Sequence, residues 1–173
     1  MRVTSGNLKT NYIQMKKNLY FLLVAVMFIA ACQTKQSNKL VGTWKLIEYA
    51  DFDSVTGKWT HPYGDHPKGY FTYTNSGIVN LNISSENPLI ITRDSAYKHS
   101  FTLVELIDNY AVGYFGTYTI DYKNSTVTHH PKGGAIPWYI GTDQHRQFIL
   151  KGDTLFIGDP TFTIGKRILI KEK

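Results

Sequence analysis

From Leu40 to the C-terminus, apolar and polar side chains alternate in short runs separated by turn-forming residues. A period of two marks strands with one buried face. The pattern predicts eight strands, over about 41–50, 68–74, 78–84, 113–122, 125–130, 142–151, 154–158 and 166–171. Abundant Tyr, Thr, Ile and Phe with turns at short spacing indicate an all-β barrel or sandwich.

Register follows from the need for one apolar face. A three-residue loop, Asn75-Ser76-Gly77, with its glycine in the left-handed position, puts Phe71 and Tyr73 on the face of Val79, Leu81 and Ile83. A two-residue loop would mix the two sets. The turn at Lys123-Asn124 pairs Ile120 with Val127 and Tyr118 with His129, leaving Thr117, Thr119, Asp121, Thr126, Thr128 and His130 to solvent. A third turn at Gly152-Asp153 pairs Leu150 with Leu155 and Phe148 with Ile157, and the same face extends to Arg146. On the first strand, Trp44, Leu46 and Glu48 share a face. One segment breaks the rule: between Thr92 and Tyr110, Tyr97, Phe101, Val104 and Ile107 fall near helical spacing, and Thr102-x-x-Glu105 fits a capping box. One helix of moderate length is expected there, lying across a barrel end.

The N-terminal pattern is of another kind. Lys16 and Lys17 precede thirteen apolar residues, Leu19 to Ala31, and the chain's one cysteine, Cys32, follows directly. A charged start, a short apolar run and small residues at the end read as a secretory signal. The run is too short for a comfortable membrane span, which needs about 20 residues. A cysteine at the cut resembles the lipobox of bacterial lipoproteins, in which the thiol is lipidated and becomes the mature N-terminus. The expected organisation is a signal over 1–31, with translation starting at Met15, a lipid-anchored tether over 32–39 and a barrel domain over 40–173. Neither an Asp after Cys32 nor an acidic cluster occurs in the tether. By analogy with lipoprotein sorting elsewhere, the expected location is the outer membrane of a bacterial envelope, facing the periplasm.

Cutting there changes the charge. The formal net charge of +6 includes Arg2, Lys9, Lys16 and Lys17, and removing these four from 19 basic residues leaves 15 against 13 acidic, or +2. The remaining basic residues are scattered singly, so no nucleic-acid partner is expected. Without a second cysteine no intramolecular disulfide is available, and the fold rests on packing.

Several motifs then fall in order: Leu40-Val-Gly-Thr-Trp44, Lys68-Gly-Tyr-Phe-Thr-Tyr-Thr-Asn-Ser-Gly77, Gly113-Tyr-Phe-Gly-Thr-Tyr118, Val127-Thr-His-His130, Pro137-Trp138 and Gly141-Thr-x-Gln144-x-Arg146. In this order and spacing, over roughly 40–158, the chain resembles the bacterial lipocalin-like domain family. The resemblance implies an eight-stranded antiparallel up-and-down barrel with a cavity; it names no ligand. Trp44 is expected to be structural, with Arg167 as a guess for the basic residue that caps it.

The candidate chemistry lies on inward faces: Glu48, Tyr118, His129 and Arg146, each on a different strand. Inward charges are costly unless they meet each other or a ligand. One reading is a structural Glu48–Arg146 pair with a hydrogen-bonded histidine. A second is a ligand-recognition cluster of Glu48, Tyr73, Tyr118, His129, Trp138 and Arg146. A third is catalysis, with His129 as general base and Arg146 or Tyr118 stabilising negative charge. His129 and His130 point to opposite faces of a strand and do not readily share a metal; His61, Asp65 and His66 share a loop without tight ligand spacing, so no metal or other cofactor is assigned. Trp59, Tyr63, Tyr70, Trp138 and Tyr139 suit a barrel mouth that admits a small apolar or aromatic molecule. Three functions follow. They are an anchored binder of such a molecule, with the membrane met through the N-terminal lipid; a cavity enzyme of isomerase, cyclase or hydrolase type using His129, Glu48 and Arg146; and an interaction or envelope module with a filled barrel.

Overall fold

Every hairpin argued from alternation closes at the expected residues. The computed structural model describes residues 38–159 and 161–173; the signal, Cys32 and most of the tether lie outside them. Strands β1 (Gly42–Asp53), β2 (Lys58–Thr60), β3 (Lys68–Tyr73), β4 (Ile78–Ser84), β5 (Ala111–Asp121), β6 (Thr126–Gly134), β7 (Gln144–Lys151), β8 (Thr154–Gly158) and β9 (Gly165–Lys171) form one antiparallel sheet. Each barrel strand pairs with the next in sequence. Pairing of β9 back onto β1 closes eight of them into an up-and-down barrel, and closure removes the exposed edges. The ninth strand, β2, is a three-residue flap on the far end of β1.

The registers show why alternation was a reliable guide. Tyr73 faces Val79 across a turn whose Gly77 has φ +80°. Tyr118 faces His129 and Ile120 faces Val127. Phe148 faces Ile157 and Leu150 faces Leu155. In each case the apolar set is driven to one face, and any slip by one residue would expose it.

One end of the barrel is filled. Leu40, Trp44, Val79, Val127, Leu155 and Leu169 are fully buried there. Trp44 donates its indole N–H to the Leu40 carbonyl at 2.8 Å. Asn38, the first described residue, enters at this end and ties it together: its amide donates to the Tyr118 hydroxyl at 2.6 Å and its carbonyl oxygen accepts from Tyr122 at 3.2 Å. Tyr118 in turn donates to the Thr74 carbonyl at 2.7 Å. Lys171, not Arg167, carries the charge over Trp44, with its ammonium 5.2 Å from the ring centroid. Arg167 lies four residues earlier on β9, near the other end, where its guanidinium stacks 3.3 Å over Tyr49.

The opposite end carries the long connections. The segment 92–110 forms two short helices instead of one, α1 (Arg93–Lys98) and α2 (Leu103–Asn109). Each has its own N-cap: Thr92 accepts from the Ser95 amide and Thr102 from the Glu105 amide. A continuous helix is excluded because His99, after α1, and Thr102, before α2, both adopt extended backbone. Only α2 reaches the core, through Ile107, while α1 buries nothing. Tyr63, from the loop after β2, donates its hydroxyl to the Ile107 carbonyl and fastens that loop to α2.

One irregularity matters for function. Between Leu46 and Glu48 the β1–β9 register shifts, so two residues of β1 oppose one of β9. Such a bulge inverts the parity of all that follows. Trp44 and Leu46 point inward before it; Tyr49 and Asp51 line the interior after it.

Candidate functional site

Above the filled half, the interior is open. A cavity of about 560 Å³ extends to the end that carries β2, α2 and the short 3₁₀ turn Pro137–Tyr139. Its apolar wall is built by Phe71, Leu81, Ile83, Ile107, Val112 and Ile157. These come from five elements, each side chain inward by strand alternation or by the buried face of α2. The volume lies within the ordinary range for small-molecule sites.

The floor is a hydrogen-bonded layer centred on His129, which is 1% exposed. Tyr73 Oη lies 2.9 Å from Nε2 and Tyr114 Oη lies 2.6 Å from Nδ1. Burial, reinforced by the positive charge of Arg146, pushes the His129 pKa down to about 3, so the ring is neutral and carries one N–H. Burial also raises the pKa of both tyrosines, which stay protonated. The direction of these bonds follows from satisfaction. Tyr73 is 1% exposed and has His129 as its one side-chain partner among the described residues, so its O–H donates to Nε2. Nδ1–H then donates to the Tyr114 oxygen, and the Tyr114 proton is left to point into the cavity that Tyr114 lines.

Charges sit above this floor. Arg146 lines the cavity, with one N–H on the His145 carbonyl at 2.9 Å and another on Gln144 Oε1 at 3.2 Å. Its guanidinium lies 5.9 Å from the ring centroid of Tyr139, and Tyr139 packs edge-on against Tyr114 at 5.9 Å. Arg167 is neutralised by Asp51 at 2.8 Å and also donates to the Ala50 carbonyl. Asp159, at the rim, accepts from the Thr161 hydroxyl and from the Thr161, Ile164 and Gly165 amides; against the upward push of burial, these four bonds together hold its carboxyl well below the usual range. Asp108 is exposed at the rim.

The expected site residues therefore separate. Arg146, His129 and Trp138 line the cavity, Trp138 at its mouth and 55% exposed. Tyr73 lies beneath the floor, holding His129. Tyr118 belongs to the filled end, bound to Asn38 and Thr74, and does not reach the cavity. Glu48 is a correction. The bulge turns it outward, where it pairs with Lys166 at 2.9 Å and lies 3.8 Å from His61; it neither enters the cavity nor meets Arg146. As a general base His129 is also poorly placed: it borders the cavity, but both ring nitrogens are already bonded, one to Tyr73 and one to Tyr114. His130 points outward to Asp143 at 2.6 Å. Among the described residues, no three His, Cys, Asp or Glu side chains gather as a metal site.

The residues missed by sequence reasoning are Tyr114, Tyr49 and the Asp51–Arg167 pair, whereas Tyr139, expected at the mouth, does line the cavity. Tyr114 was within reach: it shares strand parity with Tyr118, four residues on. Residues 41–166 match the family described as a lipocalin-like domain. No curated protein matches the chain.

Proposed function

The chain belongs to the lipocalin-like domain family, and on that premise we propose that it is a lipid-anchored, periplasm-facing protein that binds a small, largely apolar molecule in its mouth-end cavity. The observation that carries this reading is the division of the interior. One half is packed without regard to any ligand, while the other keeps about 560 Å³ behind an apolar wall. A barrel that served only as an interaction module would have no need to leave that volume open, since unfilled apolar space forfeits contacts. Anchoring is supported by the signal-like leader and by Cys32 directly after it.

The test uses N-phenyl-1-naphthylamine, a neutral aromatic probe whose emission rises in apolar surroundings. The protein should bind it at one site, and Ile83→Trp, which projects a large ring from the cavity wall, should abolish that binding without loss of the folded barrel. Equal binding by the variant would place the probe elsewhere and refute the cavity reading. For the anchor, Cys32→Ser should release a folded, soluble protein from membranes.

A further inference from the structure

Arg146 is the one cavity-lining cation without a carboxylate partner among the described residues. Arg167 has Asp51. The other acids at the rim are spent or exposed: Asp159 accepts four hydrogen bonds from its own loop, and Asp108 faces outward. Arg146 meets only neutral acceptors, the His145 carbonyl and Gln144 Oε1, and these occupy two of its five N–H groups. The Tyr73–His129–Tyr114 chain independently delivers a second donor, the Tyr114 O–H, to the same cavity. Tyr139 packs against both Tyr114 and the guanidinium, so the two donors flank one aromatic ring.

Two donors converging at the polar end of an apolar cavity, with no acid set against them, define the ligand. We propose that the ligand is an amphipathic anion, an aliphatic or aromatic carboxylic acid whose carboxylate is held by Arg146 and the Tyr114 hydroxyl. Its apolar body packs on Phe71, Leu81, Ile83, Ile107 and Val112. This assignment rests on reading the cavity as the ligand site. A carboxylate accepts from both donors at once, and a planar guanidinium matches its two oxygens. His129 is a positioning residue here: its neutral ring fixes the direction of the Tyr114 proton.

The experiment displaces N-phenyl-1-naphthylamine from the full chain with decanoate or with decan-1-ol, two ligands of equal chain length that differ in charge. Arg146→Gln should weaken decanoate about tenfold or more, as expected for losing a charge-assisted hydrogen bond, and leave decan-1-ol within about twofold. Arg146→Lys, which keeps the charge without the fork, should fall between. Tyr114→Phe should weaken decanoate several-fold. An unchanged decanoate affinity in Arg146→Gln, with the probe still bound, would overturn the anion assignment and leave the cavity reading standing. Failure of the wild-type chain to bind the neutral probe would overturn both.

Discussion

Acidification should weaken this barrel through a single imidazole. In the native state the His129 pKa is pushed to about 3 by burial and by Arg146, whereas in the unfolded chain it returns to about 6.5. Between those values the unfolded state binds a proton that the folded state refuses. Stability is therefore unaffected above about pH 6.5 and falls as the pH drops toward 3, by about 1.4 kcal/mol per pH unit. At pH 5 the loss is about 2 kcal/mol, and the full loss, reached near pH 3, is on the order of 5 kcal/mol. That is a large share of the roughly 5–15 kcal/mol that holds a domain together. Asp53, Asp121 and Asp159 have lowered pKa values through hydrogen bonds to their own loops. Their contribution is present above the ordinary carboxylate pKa and is lost only below it, so they add no slope from pH 6.5 to 5, and comparison with a variant lacking this one imidazole cancels what the rest of the molecule contributes. Urea unfolding followed by tryptophan fluorescence at pH 7, 6 and 5 measures the slope. His129→Gln keeps one donor and one acceptor but cannot titrate. It should be less stable at pH 7 by about 1–3 kcal/mol, with a slope shallower by one proton. In NMR spectra the His129 ring resonances should not titrate above pH 5. A ring titrating near 6.5, or parallel slopes in protein and variant, would refute the argument.

Trp44→Phe removes the indole donor to Leu40 and part of a fully buried ring, and should cost about 2–3 kcal/mol in urea unfolding. Glu48→Gln breaks only a half-exposed pair with Lys166. It should change stability by less than about 1 kcal/mol and leave affinity for the naphthylamine probe unaltered; a lost affinity would return Glu48 to the cavity.

What could be read from the sequence depended on how the information was stored. Hairpins such as Phe71-Thr-Tyr73 against Val79-Asn-Leu81 store it locally, in alternation and a glycine, and their registers were legible to the residue. Closure of β9 on β1 joins residues more than a hundred positions apart and was reached only through family resemblance. The bulge was legible in principle: Trp44 and Leu46 set an inward parity on which a charge, Glu48, then falls, and a charge at an apolar position is itself a sign that parity has changed. The helix over 92–110 was misjudged because apolar spacing was given more weight than Thr102, whose extended backbone separates two helices. The candidate site was legible in Arg146, His129 and Trp138. It was not legible in Tyr114, whose importance comes from a proton direction that only the burial of Tyr73 reveals.

Asn38 enters at the filled pole, bonded to Tyr118 and Tyr122, and this has a consequence for the cavity. The contacts that hold the entering chain are all made among packed side chains at one pole, while the lining of the open half is drawn from other residues. Fraying or a pull where the chain enters would be borne by the packed pole first. The pocket at the other pole keeps its shape as long as that plug holds.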